Sequence, residues 1–275
     1  MRGDFEKIIS DIKSVKIQGA ENVAKAGIIA YSISPKKKSL KKILSTRPTE
    51  PLMQNMLNLM KKSKDEGLAA KKLIGLIEKD HKRLARIGAR LIKNDMNIYT
   101  HCHSSSVIDI LTYAKKTRKK KFVVYTTEVE PLLQGRKTAR DLSKLGIKVV
   151  VAPDLAAENL LKRCDIFLFG ADAVTKKFLV NKIGTRTLCK IAEENKIPRY
   201  SCSLLLKFTK KVKIEKRPEN EVWNIRSKNI EIENFAFDKT PLKLISGIVC
   251  EEGIFLPKEF LKRAKKKLRE ISFVF

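Results

Sequence analysis

The 275-residue chain has no cysteine pair spaced as CxxC, no GxGxxG after an apolar run and no GxxxxGK[ST] string. The first absence argues against structural zinc. The second removes the dinucleotide fingerprint and the third the phosphate-binding P-loop. Neither nicotinamide nor P-loop chemistry is therefore expected. The five cysteines, Cys102, Cys164, Cys189, Cys202 and Cys250, are odd in number and far apart. That is the pattern of reduced thiols rather than of a disulfide framework. No apolar run approaches the roughly 20 residues that span a bilayer. The opening Met1-Arg2-Gly3-Asp4-Phe5-Glu6 carries no apolar leader. No membrane association is expected, and a cytoplasmic location is. Internal repeats and low-complexity linkers are also missing.

What the chain has in excess is positive charge: 59 Lys and Arg against 30 Asp and Glu, a formal net charge of +29. Lysines occur in runs, at Lys36-Lys37-Lys38, Arg118-Lys119-Lys120-Lys121 and Lys265-Lys266-Lys267. Such a surface attracts polyanions, from small phosphorylated molecules to RNA. The runs are scattered, and no aromatic residues interleave with them as they do in single-strand binders. Solvated faces explain them equally simply.

Hydrophobic residues make up 43% of the chain, enough for a sizeable core in one large domain or two smaller ones. The first third reads as helix. Ile8, Ile9, Ile12 and Val15 recur at helical spacing. Further helices are expected over 21–32, over 35–42 with Pro35 in the first turn, around Leu52, Met56 and Met60, and over 65–93. After Asn94 the period changes. Short apolar runs at 97–100, 122–126, 149–152, 166–169 and 199–202 alternate with amphipathic segments such as 138–145 and 185–194. A last strand over 244–249 precedes a helix from Pro257. Strands alternating with helices predict an α/β fold, a mainly parallel sheet flanked by helices. The expected division is an N-terminal helical domain over 1–93 and an α/β domain over 94–275.

Ligands of open parallel sheets bind at the carboxyl ends of the strands. Cys102 follows the first such strand, Glu128 the second, Asp154 the third and Asp172 the fourth, so four loops are expected to aim polar groups at one rim. Cys102 lies in Tyr99-Thr100-His101-Cys102-His103-Ser104-Ser105-Ser106, just before a helix. A lone cysteine is commonly a small buried hydrophobe. Flanking histidines and a helix N-terminus favour a thiolate that removes protons and a site for a phosphate. Asp172, in Gly170-Ala171-Asp172, reads either as a helix N-cap or as a proton donor or acceptor opposite Cys102. Two such groups across a polyol phosphate suit aldose–ketose isomerisation. Asn181-Lys182-Ile183-Gly184-Thr185 gathers an amide, an ammonium and a hydroxyl before a helix. It reads as a phosphate site or as a turn capped by Thr185. Lys207 stands among apolar residues. Arg47, alone in a Thr-Arg-Pro-Thr turn, could clamp an anion or cap a helix. His81, isolated in a helix, reads as structural.

Taken together, these strings resemble the family that joins the alpha, beta and delta subunits of translation initiation factor 2B with two sugar-phosphate isomerases. Those isomerases act on ribose 1,5-bisphosphate and methylthioribose 1-phosphate. The resemblance runs from Ile17-Gln18-Gly19-Ala20 through Arg47-Pro48-Thr49, Thr100-His101-Cys102-His103-Ser104, the segment from Thr127 to Gly135, Gly170-Ala171-Asp172, Asn181-Lys182-Ile183-Gly184-Thr185 and Leu206-Lys207-Phe208 to Asn234-Phe235-Ala236-Phe237-Asp238-Lys239-Thr240-Pro241. The Cys102 string is most similar to archaeal ribose-1,5-bisphosphate isomerases. The resemblance implies an N-terminal helical domain, a C-terminal Rossmann-like domain, a homodimer or larger homo-oligomer, no metal or organic cofactor, Cys102 as proton acceptor and Asp172 as donor. It implies that Gln18, Gly19, Ala20, Glu21, Arg47, Ser104, Ser105, Ser106, Asn181, Lys182 and Lys207 hold a sugar bisphosphate. The implied product is ribulose 1,5-bisphosphate, in nucleotide breakdown. The family's Arg-Gly-Ala-Gly loop reads Gln18-Gly19-Ala20-Glu21 here, and its Thr-Arg-Pro segment reads Val129-Glu130-Pro131. These changes motivate an alternative, a non-catalytic regulatory subunit that contacts an initiation factor or RNA. A methylthioribose-1-phosphate isomerase is the further alternative.

Overall fold

The computed structural model describes residues 2–272. It opens with α1 (Arg2–Lys13), α2 (Ala20–Ile33), α3 (Lys37–Thr46), α4 (Pro51–Met60) and α5 (Glu66–Gly88). Each follows from its sequence. Pro51 fills the first turn of α4, where a missing N–H costs nothing. The Asp65 carboxylate caps α5 by accepting from the Leu68 N–H at 2.9 Å, as N-caps do. Two expectations shift. Val15 falls beyond α1 at φ 61, and α3 starts after Pro35 rather than on it.

An α/β succession follows: β1 (Met96–His101), α6 (Ser105–Lys116), β2 (Phe122–Thr127), α7 (Gln134–Ser143), β3 (Lys148–Ala152), α8 (Ala157–Leu161), β4 (Ile166–Gly170), β5 (Ala173–Val174), β6 (Phe178–Lys182), α9 (Thr185–Glu194), β7 (Arg199–Cys202), β8 (Phe237–Pro241), β9 (Gly247–Cys250), β10 (Gly253–Phe255) and α10 (Pro257–Ser272). The main sheet has seven strands in the order β10-β9-β7-β4-β1-β2-β3. All its pairings are parallel except that of β10 with β9. The expected last strand over 244–249 starts later, because Leu242–Leu244 forms a 3-10 turn.

Alternation along the strands splits the core between the two faces. Ile98, Val124, Leu168, Cys202 and Val249 join an apolar cluster shared with α1–α6. Tyr99, Phe167, Phe169, Ile248 and Cys250 join another with α8, α9 and α10. With both faces covered, β4 is buried at every residue, the expected fate of a central parallel strand. Lys267 of α10 bonds both Asp80 of α5 and Glu251 after β9. The Glu251 carboxylate also accepts from the Leu205 N–H at 3.1 Å, which fixes the 3-10 turn carrying Lys207.

The strand order places the site. From β1 the chain winds outward through β2 and β3 on one side, and from β4 through β7 and β9 on the other. The winding reverses between β1 and β4, which pair with His101 opposite Phe169. A crevice opens outside strand ends at such a reversal. A small antiparallel sheet, β5-β6-β8, stands over it. The sequence reading missed that sheet. The β5–β6 hairpin returns the chain so that Asn181 and Lys182 lie above the loop that begins at Gly170. The Asp172 N–H donates to the Val180 carbonyl at 2.9 Å and locks the fold-back.

Candidate functional site

A cleft with about 790 Å³ of empty space, its mouth included, lies at this reversal. Cys102 and Asp172 both line it, each from the first loop residues beyond its strand. Adjacent strands run roughly 4.8 Å apart, so the two groups start from neighbouring positions. Gln18, Gly19, Ala20, Arg47, Ser104, Ser105, Asn181, Lys182 and Lys207 line the same cleft. Eleven of the thirteen residues anticipated from the sequence thus come together from six separate segments.

The other two do not. Glu21 turns away from the cleft to pair with Lys25 at 2.8 Å and with His81 at 3.1 Å, because one residue of helix rotates a side chain by about 100°. Ser106 is fully buried behind α6 for the same reason, and its hydroxyl has no partner. Nor do four loops serve the rim. Glu128 binds Arg136, and the Asp154 carboxylate accepts from the Val129 and Glu130 N–H groups, both at 2.8 Å. His81 is held between carboxylates, with Nδ1 3.2 Å from Asp109 and Nε2 3.1 Å from Glu21. One ligand atom from each of these three residues falls within 4.8 Å of the others. The two ring nitrogens face different carboxylates, and Lys25 also pairs with Glu21, so the arrangement is a polar bridge between α2, α5 and α6.

Cys102 adopts φ 67, a left-handed conformation that costs a side-chain residue about 1 kcal/mol or more. A chain of hydrogen bonds holds it there. The Thr138 hydroxyl donates to the Cys102 carbonyl at 2.9 Å and accepts from His103 Nδ1 at 3.1 Å. The thiol donates to Gln134 Oε1 at 3.2 Å. Neither neighbouring histidine touches the sulfur. His101 Nε2 donates to the Ile183 carbonyl at 2.9 Å, and burial pushes both His101 and His103 down to about 4, so both are neutral. The expectation of a depressed thiol pKa therefore fails. Burial drives the Cys102 thiol up to about 12, with Lys182 pulling it down and Asp172 pushing it further up. Desolvation of a thiolate outweighs the nearby ammonium.

Burial also raises the Asp172 carboxyl, against the pull of Lys207, Arg47 and Lys182. Burial lowers Lys182, and the Cys102 and Asp172 charges oppose that shift. The Lys207 ammonium donates to the Ala171 carbonyl at 2.7 Å, next to Asp172. The Asn181 amide donates to the Thr185 hydroxyl at 3.0 Å, and that hydroxyl donates to the Lys182 carbonyl at 2.6 Å. Gly184, not Thr185, is the N-cap of α9, at φ 95. Gly170 is required by close approach, since a Cβ there would lie 2.6 Å from Ser104 Oγ.

Arg47 is the main surprise among the cations. It lines the cleft, but its guanidinium is already held by Glu50 at 3.2 Å and Glu215 at 2.9 Å. Arg217 likewise binds Glu221. Glu50, Gln134, Glu215, Arg217 and Glu221 all line the cleft and were not singled out from the sequence. A glutamine opening a helix after a strand was a usable signal for Gln134. The 209–236 segment that carries three of the others has no periodicity to read.

A parallel α/β sheet with a polar cleft at its winding reversal, containing a thiol, carboxyls and lysines, defines a Rossmann-like ligand-binding or catalytic protein. The particular family is shown by comparison. Residues 32–257 match the Initiation factor 2 subunit family, and the chain belongs to it. It is 33% identical to the ribose 1,5-bisphosphate isomerase of Pyrococcus furiosus over 94% of this chain and 91% of that one. It is also 33% identical to the Methanocaldococcus jannaschii protein of the same name, over 78% and 75%. The crystal structure of a Pyrococcus horikoshii translation initiation factor eIF-2B superposes with a TM-score of 0.84 at 30% identity, covering 94% of this chain and 98% of that one. Among the described residues no helix is long and apolar enough to cross a membrane.

Proposed function

We propose that the chain is an aldose–ketose isomerase acting on a ribose phosphorylated at C1, with ribose 1,5-bisphosphate as substrate. The observation that carries this reading is the pairing of Cys102 and Asp172 in one cleft, from the two strand ends where the winding reverses. The names of the relatives from P. furiosus and M. jannaschii support the substrate.

Cys102, as thiolate, takes the proton from C2 while the Asp172 carboxyl protonates the ring oxygen. The C1–O ring bond breaks and a C1=C2 enol forms. The Cys102 thiol returns its proton to C1. The Asp172 carboxylate takes the proton of the C2 hydroxyl, which becomes the ketone. Both groups end as they began, and the substrate is neither oxidised nor reduced overall. Burial favours the protonated thiol at rest, so the thiol first releases its proton to solvent, and Lys182 is the counter-charge that makes the thiolate accessible. Two helix N-termini open on the cleft, α2 at Gly19 and Ala20 and α6 at Ser104 and Ser105. With Lys182 they supply N–H groups, hydroxyls and charge for phosphate oxygens.

The test is to incubate the protein with the alpha anomer of ribose 1,5-bisphosphate and follow ketose formation. Cys102→Ser and Asp172→Asn should each lose roughly 10²–10⁴ in rate. Absence of turnover, or turnover indifferent to Cys102→Ser, rejects the reading. One observation favours a second reading, a regulatory subunit. Carboxylates occupy both Arg47 and Arg217 in the cleft. A stable complex with an initiation factor, unaffected by Cys102→Ser and accompanied by no turnover, is what that reading requires.

A further inference from the structure

Lys207 differs from the other cleft cations in that no charge holds it. It is 5% exposed and makes no ion pair among the described residues. Its ammonium donates to one carbonyl, that of Ala171. A lysine stem is flexible, so such an ammonium is aimed by the backbone that carries it. That backbone is anchored at three points. Before the lysine, the Leu205 N–H donates to Glu251 at 3.1 Å. After it, the Thr209 N–H donates to the Val174 carbonyl at 2.9 Å, two residues beyond Asp172. Directly beside it, the Leu206 and Phe208 carbonyls accept from one group, the Asn55 side-chain amide, at 2.8 Å and 3.1 Å. An amide nitrogen carries two hydrogens, one for each carbonyl flanking the lysine. Asn55 lies one turn into α4. Asn is a poor residue inside a helix because its side chain competes for nearby backbone, but here the amide leaves its own helix for the 3-10 turn. The adjacent Gln54 amide donates to the Pro48 carbonyl at 2.8 Å. α4 thus sets the placing of two cleft cations, Arg47 through the turn before it and Lys207 through Asn55.

We propose that Asn55 is a positioning residue: by gripping the carbonyls on both sides of Lys207 it holds that ammonium beside the Asp172 loop. Asn55 touches no reacting atom and acts only through Lys207. Its bearing on catalysis rests on the reading of Asp172 as the proton donor. A donor must release its proton during the reaction, and a cation fixed nearby favours the ionised state. Of the charges around the Asp172 carboxyl, that of Lys207 weighs most against burial, ahead of Arg47 and Lys182. Glu50, Glu215 and Cys102 line the same cleft, and the charge of Asp172 raises all three.

Two measurements test this without substrate. In the wild type, the Asn55 side-chain amide protons should exchange with solvent about tenfold or more slowly than those of Asn58, which is exposed on the same helix. In protein labelled with ¹³C at side-chain carboxyls, the Asp172 signal, assigned through Asp172→Asn, is titrated in the wild type, Asn55→Leu, Asn58→Leu, Lys207→Met and the double variant Asn55→Leu with Lys207→Met. Leucine keeps a branched shape and removes both donors. The Asp172 titration should rise by about half a pH unit or more in Asn55→Leu. It should rise by more in Lys207→Met, by no more than that in the double variant, and not at all in Asn58→Leu. The sign separates positioning from a loosened cleft. Water admitted by a merely structural defect relieves burial and lowers an aspartate, whereas loss of a nearby ammonium raises it. An Asp172 titration that falls or stays put in Asn55→Leu, or that rises equally with and without Lys207, overturns the proposal. So does an Asn55 amide that exchanges as fast as that of Asn58, whether or not the variants fold. Where the wild type turns over ribose 1,5-bisphosphate, the limb of the pH–rate profile assigned to Asp172 should move up in Asn55→Leu and not in Asn58→Leu. Turnover by a wild type whose Asp172 titration ignores Asn55→Leu defeats the positioning role and leaves the isomerase reading standing. A raised titration in a chain without turnover does the reverse.

Discussion

Gly170→Ala perturbs the cleft by a single methyl whose consequences follow from position. Gly170 ends β4 without a positive φ, so alanine adds no backbone strain. The whole effect is contact. The new Cβ would lie 2.6 Å from Ser104 Oγ and 2.9 Å from Ser104 Cβ. The hydroxyl can swing to another rotamer. The Ser104 Cβ cannot, so the α6 N-terminus must move by several tenths of an ångström. Forcing one methyl into a packed site costs about 1–3 kcal/mol. Ser104 is the N-cap of α6, so the same displacement misaims the N–H groups proposed to hold a phosphate. Denaturant midpoints and calorimetric binding of inorganic phosphate should both show losses in Gly170→Ala. In the double variant with Ser104→Gly, stability should recover by more than about 0.5 kcal/mol beyond additivity while phosphate affinity stays low. Unchanged stability and binding in Gly170→Ala, or strict additivity in the double variant, would refute the reasoning.

Gly135→Ala should be far more damaging, with loss of cooperative unfolding by circular dichroism, because its Cβ would fall 1.7 Å from the Thr127 carbonyl oxygen. Lys267→Met should cost about 3–5 kcal/mol in denaturant unfolding, since Asp80 and Glu251 would be left buried without their cation. Glu50 is held up at about 8 from an ordinary 4.5. The folded chain therefore keeps a proton that the unfolded chain releases, and this stabilisation is complete below about pH 4.5 and lost as pH rises through 8. The pH-dependence of unfolding over that window should flatten in Glu50→Gln. Lys182→Met should leave the fold intact by circular dichroism, but raise the pH at which Cys102 reacts with iodoacetamide, because the ammonium that favours the thiolate is gone.

Much of this architecture was legible from period alone. Apolar runs such as Phe122-Val123-Val124-Tyr125 between amphipathic stretches give a covered parallel sheet. The strand-end rule then places Cys102 and Asp172 at one rim. Residues that depend on helix rotation were not legible. Glu21 and Ser106 each sit one step past a cleft-lining neighbour and face elsewhere. The β5-β6-β8 sheet was invisible because β5 is two residues long and carries no hairpin signature. The state of the Cys102 thiol was misjudged because flanking histidines in sequence say nothing of contact, and desolvation is a property of the folded cleft. Glu50 escaped notice for a related reason: beside Pro51 a glutamate reads as a solvated helix start.

The most direct measurement is conversion of ribose 1,5-bisphosphate in D₂O, followed by NMR at C1 and C2, for the wild type and Cys102→Ala. The account predicts a ketose from the wild type with hydrogen or deuterium delivered to C1 through the sulfur, and neither ketose nor exchange at C2 from Cys102→Ala. A ketose formed at the wild-type rate without the sulfur, or no ketose from the wild type, would contradict it.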